Sequence, residues 1–195
     1  MGKATIPKTL QEVSRVRSTK HKSFKKNDRQ RLKAPLGKEQ IRRKKLDPHY
    51  VVGFIDGEGS FSVGIGKQRE AKPGYELRAA FEIELRADDQ EILERILVTI
   101  GCGRIYDLSY DRYGWYPHVK YKISNRKDLR EYLFPLLDKY PLQAKKAEVY
   151  KLFREVVMLA ENKEHLTDKG FEQIIKLREE MRKRGKKART YYGNR

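Results

Sequence analysis

Residues 46–66 read LDPHYVVGFIDGEGSFSVGIG, from Leu46 to Gly66. Asp47 followed by Pro48 is an N-cap and first-turn pair, and it opens a helix that runs through Tyr50, Val51, Val52, Gly53, Phe54 and Ile55 to Asp56. After Gly59 the period switches to two. Phe61, Val63 and Ile65 point one way, while Ser60, Ser62, Gly64, Gly66 and Gln68 point the other. Between the two periods stands Asp56-Gly57-Glu58-Gly59, a pair of carboxylates and a pair of glycines that a purely structural helix end does not require.

The plain alternative is a tightly packed helix with solvated acids at its end. Three features count against it. Glycines four residues apart, Gly53 and Gly57, let two helix backbones approach closely and predict a helix–helix contact. Glu58 sits at the C-terminal end, where the helix dipole disfavours negative charge and a cation is wanted. The strand that follows has a polar face of small residues, suited to close approach. If two copies of the helix pack together, both Glu58 carboxylates meet at one end of the interface and form a site for a hard divalent ion such as Mg²⁺. Beside a phosphate backbone, such an ion supports phosphodiester hydrolysis, with the polar sheet faces in successive major grooves.

The rest of the chain extends the pattern. Lys72-Pro73-Gly74 predicts a turn, and Tyr75–Arg86 a second strand, with Leu77, Ala79, Phe81 and Ile83 alternating with Glu76, Arg78, Ala80, Glu82 and Glu84. Asp88 or Asp89 caps a helix bearing Ile92, Leu93, Ile96, Leu97 and Ile100, which Gly101 closes. Strands are predicted over 104–110 and 115–124, then a helix capped by Asn125, another over about 143–160, and a last one from near Thr167. The expected class is α+β: an α-β-β-α-β-β-α unit whose four-stranded antiparallel sheet has helices on one face, plus C-terminal helices.

Composition narrows the partner. Lys and Arg outnumber Asp and Glu by 45 to 27, a net charge of +18, which points to a polyanion: nucleic acid or an anionic membrane surface. No apolar run approaches the roughly 20 residues of a membrane span, and no secretory signal is evident. Cys102 is the single cysteine, so an internal disulfide and a Cys-based zinc site are excluded; it suits a reducing compartment, cytoplasmic in a bacterium or organellar, and not a secreted protein. The four histidines have no metal-ligand spacing. Residues 1–45 hold 16 Lys/Arg against 3 Asp/Glu and few large apolar side chains. They read as a flexible basic arm that neutralises phosphates, or as an organellar transit peptide, ahead of a folded domain at 46–185 and a basic tail at 186–195.

The stretch Val51-Val52-Gly53-Phe54-Ile55-Asp56-Gly57-Glu58-Gly59 resembles the nine-residue signature of the LAGLIDADG homing endonucleases. The resemblance extends over about 46–185, because the element order is that family's half-domain; Asn125–Leu129 and Tyr140–Lys146 also resemble its later segments. It implies a site-specific double-strand DNA endonuclease, encoded in a mobile intron, that uses Mg²⁺ (or Mn²⁺). Glu58 would be the metal ligand, assisted by the carbonyl of Gly57, with Asp56 a structural acid. A single copy of the signature implies a homodimer on a nearly palindromic site, with Val52, Gly53, Asp56 and Gly57 at the dimer interface. The family's site lysine would be Lys145, with Lys146 as the alternative and Gln143 at that position if the alignment slips. A water-ordering polar residue late in the second strand would fall at Leu85, so that element is missing or supplied elsewhere.

Alternation assigns the DNA-binding set: Ser60, Ser62, Gln68, Glu76, Arg78 and Glu82 on the first hairpin, and Arg104, Tyr106, Lys120 and Lys122 on the second. Arg and Lys donate to guanine, Gln reads adenine and Glu accepts from cytosine. Arg69, Arg112 and the basic tail are assigned to phosphates. Two competing functions share the fold: a maturase that binds intron RNA, and a DNA-binding regulator that does not cut.

Overall fold

The computed structural model describes residues 34–67, 75–108 and 116–190. The chain enters the fold earlier than its composition predicts. Leu36–Gly37 is a two-residue strand, β1, and a single 3₁₀ turn follows at Lys38–Gln40. Ile41 is then buried at 6% exposure, the Leu46 amide donates to the Thr99 hydroxyl at 2.8 Å, and Arg43 pairs with Glu94 at 2.8 Å. Residues 34–45 are therefore part of the packed fold and not of a free arm. Two large apolar residues, Leu36 and Ile41, in a basic run are too weak a pattern to reveal partners some fifty residues away.

Helix α1 is Pro48–Glu58, with the Asp47 carboxylate accepting the His49 amide at 2.8 Å. It stops at Gly59, where a Cβ would lie 2.7 Å from the Ile55 carbonyl oxygen and 3.0 Å from the Phe81 ring. That close approach demands glycine and turns the chain straight into β2, Ser60–Lys67. Strand β3 is Tyr75–Arg86, and α2 is Gln90–Ile100, closed by Gly101 in the left-handed region at φ 98°. Strands β4 and β5 are Arg104–Leu108 and His118–Ile123, the second shorter than expected; their connecting tip lies outside the described residues, as do the turn at 72–74 and residues Gln68, Arg69 and Arg112.

Asn125 caps the next helix, α3, which comprises Arg126–Asp128, a π-helical turn at Leu129–Leu133 and Phe134–Lys139. Pro135 accounts for the irregular turn, since it has no N–H to offer the preceding turn. Helix α4 is Lys146–Glu161, and α5 runs Asp168–Thr190, so the segment taken as a separate basic tail begins inside a helix.

The α-β-β-α-β-β-α order is observed, but the sheet has five strands, in the order β1-β4-β5-β3-β2, and every pairing is antiparallel. Its apolar face carries Phe61, Phe81, Ile83, Ile105, Tyr121 and Ile123, which pack with Val51, Ile55, Leu93, Leu97, Leu133 and Phe153 from the helices into one core. Tyr121 shows how complete that burial is: its ring is fully enclosed and its hydroxyl donates to the Cys102 carbonyl at 2.8 Å. Strand β2 would be an open sheet edge; the Arg178 guanidinium from α5 instead donates to the Val63 carbonyl at 3.0 Å. No described helix is long and apolar enough to cross a membrane.

Candidate functional site

The site is built around the end of α1. Val51, Val52 and Ile55 bury one side of that helix, and Val52, expected at a dimer interface, lies in the protomer's own core at 5% exposure. The opposite side is open. Gly53 and Gly57 are exposed, and a Cβ at either would meet nothing within 4 Å. Tyr50 is 51% exposed, and its ring lies 6.2 Å from that of Phe54. Tyr50, Gly53, Phe54 and Gly57 fall at i, i+3, i+4 and i+7, so they form one stripe. The same spacing was available in the sequence for Tyr50 and Phe54, which the glycine pattern overshadowed.

Asp56 turns away from that stripe. One carboxylate oxygen accepts the backbone amides of Gln143 at 2.6 Å and Ala144 at 3.1 Å, so it holds the segment that leads into α4. Both bonds lie within one protomer. The other Asp56 oxygen is buried without a hydrogen-bond partner. Glu58 is the exposed last residue of the helix, directly before the polar face of the sheet begins at Ser60.

Of the two candidate lysines, Lys146 is the one that meets the end of α1. Lys145 is the exposed N-cap of α4 and makes no side-chain capping bond. The half-buried Lys146 ammonium donates to the Ile55 carbonyl at 2.9 Å and to the Gly57 carbonyl at 3.1 Å. Burial holds its pKa below the usual lysine range, against the opposing pull of the Asp56 and Glu58 charges. A one-residue difference at the start of a helix rotates a side chain by about 100°, which decides whether it meets α1. Gln143 contributes its backbone amide to Asp56, while its side-chain amide donates to the Pro141 carbonyl at 2.8 Å. Leu85 stands on the helix-facing side of the sheet, partly buried against the core, and therefore orders no water on the polar face.

That polar face is continuous across the sheet. Register places Gly37, Arg104, Lys122, Glu82 and Ser60 in one row, with Tyr106, Lys120 and Glu84 in the next. Ser62, Glu76 and Arg78 lie further along the first hairpin. Several of these groups are already paired: Arg78 with Glu76 at 2.6 Å, Lys122 with Glu82 at 2.7 Å, and Lys120 with Glu84 at 3.0 Å and Glu82 at 3.4 Å. The Glu76 carboxyl is held below its ordinary value, first by the Arg78 hydrogen bond. Ser62 donates to the Ala80 carbonyl at 3.3 Å. Sequence alternation identified the face; Glu84 shares its parity and was left out of the assigned set, as was Gly37 at the sheet edge.

Residues 51–157 match the family model described as LAGLIDADG endonuclease, more than half of the chain, and the protein belongs to that family. It is 31% identical over 137 residues to the probable intron-encoded endonuclease 3 of Neurospora crassa, which covers 70% of this chain and 25% of that protein. The chain spans about a quarter of the length of the first curated relatives it matches. Among solved structures, I-SmaMI bound to cleaved DNA is 36% identical with a TM-score of 0.63, covering 70% of this chain and 44% of that one. The homing endonuclease I-TnaI is 29% identical with a TM-score of 0.63, covering 73% of this chain and 98% of that one.

Proposed function

We propose that the protein is a site-specific double-strand DNA endonuclease that acts as a homodimer with a divalent metal. The observation that carries this reading is the junction at Glu58. An exposed carboxylate terminates a helix whose outer stripe is flattened by Gly53 and Gly57, and it adjoins a continuous polar sheet face. Pairing two such stripes brings two Glu58 side chains together and sets two sheets side by side along a duplex. The single signature supports the same assembly, as does the match to nearly the whole I-TnaI chain but under half of I-SmaMI.

The donor chemistry fits a hard divalent ion. Glu58 and the Gly57 carbonyl offer only oxygen, and among the described residues no three His, Cys, Asp or Glu side chains gather in one protomer. A complete oxygen shell would draw on the second Glu58 and on DNA phosphate, with Mg²⁺ or Mn²⁺ as the ion; I-SmaMI has been solved on uncleaved target with calcium. When bound, such an ion polarises the phosphodiester and makes water more acidic. The protein's own part is to orient and balance charge. Asp56 pins the start of α4 through two amides, and Lys146 is thereby held over the helix end; its positive charge would there offset that of a phosphate held beside Glu58. The test is cleavage of a long DNA pool that includes the intron-less insertion site, with and without Mg²⁺, by native protein and Glu58→Gln. Discrete double-strand cuts by the native protein alone support the reading. Tight binding without cutting by either form sinks it.

A further inference from the structure

Four side chains on the polar sheet face form a connected charge lattice, Lys122–Glu82–Lys120–Glu84. Glu82 stands opposite Lys122 and Glu84 opposite Lys120 in the register of β3 with β5. Lys122 reaches Glu82 at 2.7 Å, and Lys120 bridges Glu84 at 3.0 Å and Glu82 at 3.4 Å. All four are between 24% and 35% exposed, so the ion pairs are neither buried nor loosely solvated. Burial pulls the Lys120 ammonium down, but the Glu84 hydrogen bond and the Glu82 and Glu84 charges outweigh it, so its pKa is raised. The lattice is electrically neutral in a chain whose net charge is +18. A surface built only to attract phosphate would not carry two carboxylates there.

We propose that Glu82 and Glu84, through Lys120 and Lys122, act as a specificity filter that reads base-pair edges with a keto acceptor beside an amine donor and withholds the lysines from the DNA backbone. This rests on the endonuclease reading above. The major-groove edge of a G·C pair presents two adjacent acceptors on guanine, N7 and O6, then one donor, the cytosine N4 amine. A lysine beside a carboxylate offers the complementary order, donor then acceptor. Lys120 keeps an N–H beyond the two it directs at Glu82 and Glu84. Opposite an A·T pair met adenine-first the lysine faces an amine and the carboxylate faces thymine O4, so both are mismatched; met thymine-first, O4 then the adenine N6 amine restores the match, so the pair separates G·C and T·A from C·G and A·T. On random sequence the carboxylate meets acceptors and gains no compensating bond. Its own lysine stays tied and cannot swing out to a phosphate. Discrimination thus comes from an arrangement that penalises wrong DNA as well as rewarding the right one.

The experiment uses the full chain with Ca²⁺, so that DNA is bound rather than cut. Native protein, Glu82→Gln and Glu84→Gln each select from a randomised double-stranded library, and each is titrated against the selected duplex and against sheared genomic DNA across a salt series. The expected result has three parts. Binding to genomic DNA tightens by about tenfold as the freed lysines find phosphates. The slope of log K against log salt steepens by about one for each lysine released. The selected sequences lose a preference for a keto base, G or T, on one strand at one or two adjacent positions per half-site. If genomic and selected DNA change in parallel, with base preferences intact, the lattice is only a structural ion network and the inference is overturned. If the native chain binds no duplex, the functional reading fails instead. Thermal melting of each variant checks folding, and Lys120→Met supplies a converse arm: it should weaken selected DNA far more than genomic DNA.

Discussion

The Lys146 ammonium lies 3.1 Å from the Gly57 carbonyl oxygen and 2.9 Å from that of Ile55. A side chain from the first turn of α4 therefore caps the last turn of α1, adding a donor to the Ile55 carbonyl, which also accepts the Gly59 amide at 2.9 Å, and to the Gly57 carbonyl. The same contact sets a positive charge beside the two acids of the signature, so structure and chemistry share one residue.

Lys146→Met should lower cleavage by at least tenfold and cost about 1–3 kcal/mol of stability through the lost charge-assisted hydrogen bonds. Lys145→Met should change neither by much. Cleavage rates and urea unfolding of both variants test this, and an equal effect from Lys145→Met would contradict the assignment.

Stability should also report Lys146 through pH. Its folded pKa is lowered by burial, so between that value and the ordinary lysine range the unfolded chain binds more protons than the folded one. Stability therefore rises with pH across that window, and below it the cost of burying the charge is fully present. Replacing Lys146 with Met should flatten this part of a Tm-against-pH curve relative to the native protein.

Gly53 faces open space, so a larger side chain meets no steric obstacle within the protomer. Gly53→Ala should stabilise the isolated helix by about 0.5–1 kcal/mol. Gly53→Leu should fold but sediment as a monomer where the native protein sediments as a dimer. Unchanged association of Gly53→Leu would exclude this face as the interface.

Gly59→Ala is the opposite case. The new Cβ would lie 2.7 Å from the Ile55 carbonyl and 3.0 Å from Phe81, so α1 and β3 must separate. A loss of about 2 kcal/mol or more, or failure to accumulate folded protein, is expected on expression and thermal melting.

Ile41 tests the packed N-terminal segment. It is 6% exposed within the core, so Ile41→Ala should cost about 2–4 kcal/mol. A chain starting at residue 34 should unfold at the native urea concentration, and one starting at residue 46 well below it.

Local patterns settled much of this protein. The Asp47-Pro48 start, the switch from helical to alternating period at Gly59, and the Gly101 stop each act within a few residues, so they are legible in one dimension. The signature with its two acids and two glycines was equally legible, and so was the polar parity of β2 to β5.

Other features depended on distant partners. Val52 and Gly53 are neighbours in sequence, yet one lies in the core and the other on an open stripe, because α2 and the sheet cover only one side of α1. Lys146 rather than Lys145 meets α1, because Asp56 fixes where α4 begins. The Glu82–Lys122 and Glu84–Lys120 pairs exist because β3 and β5 adopt one register, and a slip of one residue would turn them to the opposite face. The basic segment at 34–45 belongs to the fold because Ile41 and Leu36 find apolar surface made elsewhere. Periodicity reports which face of an element is apolar; what covers that face is decided only when the chain closes on itself.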